Sequence, residues 1–267
     1  IIIISYVVGF MTIQSNTITK SLQNYLPISP LIIGIILASL SGYIIWKGLE
    51  EIVSTTSKMV PVMGTIYLLT SFIIVITNIT KVPNIIKIII SDAFNLKSAG
   101  LGIISTFIIG IQRGIFSTEA GLGSGAIASS TSNVKDKLGL GLLQILGIYF
   151  TSFIICTSTA FIILLSDYNI VNFNDVNGIE ITQYALKYHL GNIGNVFLIF
   201  SILSFAFSTI IAGYYYGESN LKYLIKNIKP YHISIFKIIT IILLVFGSIT
   251  SPAILWAIVD ILVAILA

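Results

Sequence analysis

Charged residues are scarce in this chain. Asp, Glu, Lys and Arg make up 9% of its 267 residues, whereas a soluble globular domain carries about 25%. Hydrophobic residues make up 56%, and the mean hydropathy is +1.01. This composition excludes an ordinary soluble domain and predicts an integral membrane protein surrounded by the lipid bilayer.

Cysteine and arginine are almost absent, with a single copy of each, Cys156 and Arg113. One cysteine cannot form a disulfide within the chain or a cysteine-based metal site. The formal net charge is +4, but the basic residues lie scattered between hydrophobic runs, whereas a nucleic-acid-binding protein gathers them on one face. We therefore expect no nucleic-acid partner.

Long apolar runs recur along the whole chain. A bilayer-spanning helix needs about 20 mainly apolar residues, and these runs are apolar at odd and even positions alike, which favours helices over strands. They predict an all-α fold, a polytopic membrane helix bundle that forms a single transmembrane domain over residues 1–267. The eight candidate spans are 1–19, 30–46, 59–79, 101–130, 138–166, 193–216, 233–249 and 252–267.

The two ends of the chain differ from those of a typical complete membrane protein. The first residue is Ile rather than Met, and the last apolar run stops after 16 residues. Residues 1–14 lack the basic segment and the small-residue cleavage site of a signal peptide. We expect the chain to be a piece of a longer protein.

The connections between the spans carry signals of orientation. Alternating spans divide the loop lysines into sets of eight and five, and lysine favours cytoplasmic loops. This bias places the loops after Trp46, Thr131 and Gly217 inside and the polar stretch 167–191 outside. Segments 83–94 and 179–189 are short and amphipathic, which fits either helices on the membrane surface or ordinary structured loops.

The most informative segment is 110–125, which holds Arg113, Glu119 and five glycines within 16 residues. A charged side chain at the bilayer centre costs about 3 kcal/mol or more, so this segment must line a protein interior or an aqueous cavity. Each glycine costs a helix about 1 kcal/mol relative to alanine. We predict that the helix opens here and that bare peptide groups bind a small polar ligand or ion.

Two polar clusters lie inside other predicted spans. Residues 14–17 face several directions on a helix, and Gln14 is our candidate for a ligand-binding side chain, because an amide both donates and accepts; a polar helix end at the membrane surface is the alternative. The hydroxyls of Ser208 and Thr209 and the carbonyl of Phe205 offer the oxygen ligands that hard cations prefer. Such hydroxyls also bond the carbonyls of their own helix, so both interpretations stay open.

Three intramembrane charges are functional candidates because charge is costly inside a bilayer. Arg113 and Glu119 lie six residues apart, and a structural ion pair is their first explanation. Asp260 lies four residues after Trp256, on the same helix face, and either has a function, pairs locally or extends towards the membrane surface. We find no catalytic motif, phosphate-binding loop or metal-ligand motif, so we expect no enzyme.

The motif over residues 113–124, R-G-I-F-S-T-E-A-G-L-G-S, resembles the signature R-G-L-F-S-N-E-A-G-M-G-S of the sodium:alanine (alanine or glycine:cation) symporters. Similar motifs extend over essentially the whole chain. They are Q-S-N-T at 14–17, F-A-F-S-T at 205–209, Y-Y-G-E at 215–218, L-W at 255–256 and D-I at 260–261.

The resemblance implies a partial leucine-transporter-like fold of two inverted repeats, with this chain supplying core helices three to ten and incomplete at both ends. In that fold the broken first and sixth helices hold the substrate, so without the first helix we expect this piece alone to be inactive in transport. The residues implied are Gln14, Phe116, Ser117, Thr118 and Gly121 for the substrate, and Phe205, Ser208 and Thr209 for sodium.

The function that the resemblance implies is secondary active transport in the plasma membrane. A small neutral amino acid, alanine or glycine, would be imported with sodium by alternating access, with no cofactor and no metal beyond sodium as the coupling ion. A membrane-embedded enzyme and a passive channel or structural membrane subunit are the alternatives. Proton coupling in place of sodium also stays open.

The chain departs from the family pattern near both implied sites. Thr118 replaces the usual Asn, and Leu122 replaces Met. After the hydroxyl pair the family commonly has I-L-G-W-S-Y-Y, whereas residues 210–216 are I-I-A-G-Y-Y-Y. Gly213 therefore stands in place of a bulky residue, and we expect room for a substrate somewhat larger than alanine.

Overall fold

The computed structural model describes residues 1–93, 101–166 and 178–267, and the regular structure in these ranges is helical. Helices α1, α2, α3, α7, α9 and α10 are long and apolar enough to cross a membrane. The predicted all-helical, multi-pass architecture is thus confirmed. In chain order the helices are α1 (Ile2–Gln23), α2 (Pro30–Lys47), α3 (Leu49–Thr77), α4 (Val82–Ala93), α5 (Leu101–Thr118), α6 (Ser124–Ser129), α7 (Lys137–Leu164), α8 (Ile179–Leu190), α9 (Asn192–Leu224), α10 (Pro230–Ile249) and α11 (Pro252–Leu266).

Six of the eight predicted spans coincide with these six long helices. The span 101–130 is divided between α5 and α6, and the span 252–267 forms α11, whose 15 residues are fewer than the about 20 that a bilayer needs. Segment 179–189 lies in α8 and segment 83–94 in α4, so both are helices, although Phe94 lies outside the described residues. Most of the stretch predicted to be outside, 167–177, also lies beyond them.

Local signals in the sequence determine several helix ends. The Ser29 hydroxyl accepts the Ile32 N–H at 3.4 Å, and Pro30 occupies the first position of α2, where its missing N–H costs nothing. Prolines also begin α10 and α11. Gly48 ends α2 with a φ of 94°, a conformation that glycine adopts readily.

Two of the long helices contain a π-helical turn. In α1 it covers Ser5–Phe10, and in α7 it covers Thr151–Cys156. A π turn inserts one residue into the helix and rotates the faces on either side of it. The sequence periodicity therefore does not predict which side chains of α1 and α7 face the same way along their full length.

The described residues fall into two compact units. Unit 1 comprises 1–65, 126–131 and 196–267, and unit 2 comprises 66–125 and 132–195. The single transmembrane domain over 1–267 and the inverted repeats stay predictions.

In unit 1, small residues bring α10 close to both α1 and α2. A Cβ atom added to Gly247 of α10 would lie 2.6 Å from the Thr12 carbonyl oxygen of α1, and one added to Gly34 of α2 would collide with Ser248 of α10. Packing through small residues is the usual way in which helices associate in membranes. The core around these contacts includes Met11, Ile18 and Leu244, all fully buried.

In unit 2, polar side chains connect α7 to its neighbours. The Tyr67 hydroxyl of α3 lies 2.7 Å from the Thr159 hydroxyl, and the Ser71 hydroxyl donates to the Ser158 carbonyl at 3.3 Å. On α8, His189 Nε2 lies 3.0 Å from the Ile162 carbonyl. These contacts fix α7 relative to α8 and to the second half of α3.

Candidate functional site

The predicted opening of the glycine-rich helix is present in unit 2. Helix α5 ends at Thr118 and α6 begins at Ser124. Between them φ is positive at Glu119 (53°), Gly121 (83°) and Gly123 (88°). Glycine accepts this conformation at little cost, whereas a positive φ is uncommon for a residue such as Glu119. The break thus lies at 119–123, and the earlier glycines stay helical within α5.

Two neighbouring hydroxyls complete the end of α5. The Ser117 and Thr118 hydroxyls both donate to the Gly114 carbonyl, at 3.1 and 2.8 Å. The Thr118 hydroxyl also accepts the N–H of Ala120 at 3.4 Å. Thr118 therefore supports the backbone where the helix stops, in the position where the family usually has Asn.

The backbone of the break is only partly hydrogen-bonded. The N–H of Leu122 donates to the Glu119 carbonyl at 3.1 Å, and the Leu122 side chain is 1% exposed, which anchors the segment. Within the described part of the chain, the N–H groups of Gly121 and Gly123 have no hydrogen-bond partner. Gly121 is exposed, with no atom within 4 Å of the place where a Cβ would be. A ligand can therefore approach this backbone closely.

The predicted substrate residues of this segment lie together around the break. Ser117 and Gly121 are exposed, while Phe116 and Thr118 are partly buried. All four belong to one short stretch of unit 2. The break thus combines open peptide groups, two hydroxyls and one aromatic ring.

The three predicted intramembrane charges are all partly buried. Arg113 lies in α5 and Glu119 follows its end. Asp260 lies in α11 of unit 1, one turn after Trp256. Each of the three interacts with another group in the structure. The Arg113–Glu119 ion pair and a role for Asp260 stay predictions.

The hydroxyl pair of unit 1 lies within the continuous helix α9. Ser208 Oγ and Thr209 Oγ1 both donate to the Phe205 carbonyl, at 2.8 and 3.0 Å. Bonding within the helix, one of the two interpretations of the sequence, is therefore present. It is compatible with an ion site, because a hydroxyl that donates its hydrogen keeps its lone pairs for a cation.

The polar run 14–17 in α1 of unit 1 has three members engaged in hydrogen bonds. Ser15 Oγ donates to the Leu244 carbonyl at 2.7 Å, Asn16 Nδ2 donates to the carbonyls of Gly247 (3.1 Å) and Thr250 (2.7 Å), and Thr17 bonds its own helix. Gln14 is partly buried, and no described residue hydrogen-bonds to its amide. Gln14 is thus available for a ligand, whereas its neighbours join α1 to α10.

The proposed widening of the pocket at Gly213 is not supported by its surroundings. Gly213 is buried in α9, and an added Cβ would lie 3.0 Å from Met11 Cγ and 3.8 Å from the Tyr6 carbonyl oxygen. The space that a bulky residue would need is filled by α1. Gly213 therefore serves close helix packing, and the prediction of room for a larger substrate at this residue was wrong.

Sequence reasoning missed the roles of Ser15 and Asn16. Their signal was only that they neighbour Gln14 in a polar run, and nothing local indicates that their partners lie on α10, more than 200 residues away. Within the described ranges, no group of three or more His, Cys, Asp or Glu side chains is placed to hold a metal ion.

The fold and the broken helix can now be compared with known proteins. The model of the sodium:alanine symporter family matches residues 1–267. The chain belongs to the sodium:alanine symporter family. It is therefore part of a sodium-coupled amino-acid carrier family of the plasma membrane, a family of multi-pass transporters and not of enzymes.

Curated relatives of the family match nearly the whole chain. The amino-acid carrier protein AlsT of Bacillus subtilis is 39% identical over 268 residues, which cover 100% of this chain and 56% of AlsT. The probable sodium/glutamine symporter GlnT of the same organism is 33% identical over 267 residues, covering 100% of this chain and 55% of GlnT. The sodium/alanine symporter AgcS of Methanococcus maripaludis is 30% identical over 253 residues, covering 93% of this chain and 54% of AgcS. The chain thus spans little more than half the length of these relatives.

Proposed function

We propose that the full-length protein imports a small neutral amino acid, alanine or glycine in the first place, together with sodium and by alternating access. The observation that carries this proposal is the break at 119–123 in an otherwise apolar helix. Interrupted helices with open backbone groups are the usual substrate sites of secondary transporters.

The substrate is proposed to bind against the break. Its charged amino and carboxylate groups need hydrogen-bond partners inside the membrane, and the peptide groups near Gly121 and Gly123 provide them. Gly121 lets the substrate approach the backbone, Ser117 and Thr118 add hydroxyls, and Phe116 offers an apolar surface for a small side chain. Gln14, whose amide is unused by the described residues, is a further proposed substrate ligand.

Sodium is proposed to bind the three oxygens of the α9 cluster, those of the Phe205 carbonyl and the Ser208 and Thr209 hydroxyls. The two hydroxyls converge on the carbonyl, so one cation can contact all three oxygens without a nearby carboxylate. If sodium binding favours the substrate-binding conformation, the substrate favours sodium binding to the same extent. This reciprocity couples the sodium gradient to uptake.

The proposal is tested by uptake of labelled alanine into vesicles that contain the full-length protein. We expect uptake to depend on an inward sodium gradient and to be competed by glycine. Glutamine belongs among the competitors, because GlnT is named for it. A proton gradient imposed without sodium distinguishes the two coupling ions.

The remaining alternatives give different results in the same vesicles. A passive channel would equilibrate alanine without accumulating it, and its flux would not follow sodium. A structural membrane subunit would show no flux. Accumulation of alanine above its external concentration, driven by sodium alone, excludes both.

A further inference from the structure

A groove lies on unit 1 between α2 and α10. Its volume is about 570 Å³, and its lining includes Ile35, Ala38, Gly42 and Trp46 of α2 and Ile241 and Val245 of α10. The floor is shallow because a Cβ on Gly42 would already lie 3.0 Å from Ile241 Cδ1. None of these residues belongs to the proposed substrate or sodium sites.

The groove offers almost nothing to a polar ligand. Its one hydroxyl, that of Ser39, already donates to the Ile35 carbonyl of the same helix at 2.8 Å. A polar solute would lose its hydration there without gaining hydrogen bonds. The lining therefore suits a hydrocarbon chain.

The length of the groove matches one leaflet of a bilayer. From Ile35 to Trp46 the α2 backbone advances 11 residues, or about 16 Å at 1.5 Å per residue. The hydrocarbon core of a bilayer is about 30 Å thick, so this distance is about half of it. A single acyl chain of one leaflet fits the groove from end to end.

Positive charge lies at the Trp46 end of the groove. Lys237 precedes Ile241 by one turn of α10, on the same face, and its ammonium lies 5.4 Å from the centre of the Trp46 ring. Lys47, the next residue along α2, lies 4.3 Å from the Tyr43 ring and forms an ion pair with Glu51 at 3.2 Å.

The two lysines differ in how their charge is balanced. Glu51 neutralises Lys47, whereas Lys237 makes no ion pair with any described residue. Lysine beside tryptophan is typical of the level of the lipid headgroups. The free charge at this end of the groove calls for an anion.

We propose that this groove binds one anionic phospholipid, with an acyl chain between α2 and α10 and its phosphate on Lys237. The Trp46 ring lies between the hydrocarbon and the headgroup, where an aromatic ring with one polar edge is favoured. The lipid holds together the faces of α2 and α10 that meet at Gly42 and Ile241.

The test measures lipid binding by the purified full-length protein. The protein is stripped of lipid in detergent, incubated with phosphatidylglycerol or phosphatidylcholine of the same acyl chains, and examined by native mass spectrometry. Lys237→Gln removes the charge, and Lys226→Gln, an exposed lysine before α10, is its control. Ser39→Phe fills the groove, and Ile242→Phe, on an exposed position of α10, is the control for added bulk.

The unaltered protein retains phosphatidylglycerol in preference to phosphatidylcholine by about fivefold, the factor that one lysine near a membrane surface provides. Lys237→Gln abolishes this preference and Ser39→Phe lowers retention of both lipids, while the two controls behave like the unaltered protein. Equal retention by Lys237→Gln and Lys226→Gln, or by Ser39→Phe and Ile242→Phe, overturns the proposal. A single symmetrical peak in size-exclusion chromatography establishes that each variant is folded, and the readout does not depend on transport.

Discussion

Two pairs of consecutive Ser and Thr residues, one in each unit, bond to their own helices in almost the same way. Ser117 and Thr118 both donate to the Gly114 carbonyl, and Ser208 and Thr209 both donate to the Phe205 carbonyl. Yet α5 ends at Thr118, whereas α9 continues from Thr209 to Leu224. Hydroxyl pairs alone therefore do not open a helix.

The residues that follow each pair account for the difference. After Thr118, positive φ angles at Glu119, Gly121 and Gly123 turn the chain away from the helix. After Thr209, Ile210 and Ile211 are fully buried, and the next glycine packs against α1 and stays helical. Glycine thus opens the backbone in unit 2 and permits close helix packing in unit 1. As a result, the break presents peptide groups and α9 presents side-chain oxygens.

The largest effect is expected from removing the backbone freedom on which the break depends. Gly121→Ala places a Cβ at a φ of 83°, which costs about 1–2 kcal/mol, so labelled-alanine uptake by the full-length protein falls about 5- to 30-fold. Gly141→Ala is the control, since Gly141 lies in the helical part of α7 with open space around it. Equal uptake by the two variants, at equal amounts in the membrane, would contradict a role for the break.

The side-chain half of the contrast is broken by Ser208→Ala combined with Thr209→Ala. If each hydroxyl ligand contributes about 1 kcal/mol, the sodium concentration for half-maximal uptake rises at least about tenfold. Ser201→Ala is the control, because Ser201 also lies in α9 and bonds only its own helix, at the Phe197 carbonyl. An unchanged sodium dependence in the double variant would exclude these hydroxyls as sodium ligands.

A smaller effect is expected from Gln14→Leu, which tests the proposed substrate ligand of unit 1. Loss of one hydrogen bond to the substrate, worth about 1 kcal/mol, raises the KM for alanine about fivefold and leaves the sodium dependence unchanged. Thr17→Val removes a hydroxyl that bonds only the Ile13 carbonyl and serves as the control. A KM equal to that of the control would remove Gln14 from the site.

The smallest effect on transport is expected from Asn16→Ala. This change removes the two hydrogen bonds from α1 to α10, which lowers the free energy of unfolding by about 1–2 kcal/mol. Thermal unfolding in detergent measures this loss, while uptake per folded molecule stays the same. Gln23→Ala, which removes a bond to the nearby Ile28 carbonyl, should be milder, and an uptake defect in Asn16→Ala without loss of stability would be inconsistent with its structural role.

Helix content and the position of the break were accessible from the sequence because both depend on local properties. Apolar runs gave six of the long helices, and prolines and glycines marked ends such as those at Pro30 and Gly48. The exact location of the break was less accessible, because Gly114 and Gly121 are chemically identical and only the structure distinguishes the helical one from the one with a positive φ.

Contacts between distant segments were beyond the reach of local patterns. Whether Gly213 lines a pocket or packs against α1 depends on Met11, some 200 residues earlier. The π turn of α1 shifts the helix faces by one residue, so periodicity could not separate Gln14 from Asn16. Family resemblance supplied the remaining site assignments, and these stay predictions.

The most direct test of the account is a structure of the full-length protein with alanine and sodium bound. We expect alanine to lie against residues 117–123, with its charged groups on the open peptide groups near Gly121, and the chain to stay unwound between Thr118 and Ser124. A continuous helix through this segment, or alanine bound away from it, would contradict the central claim.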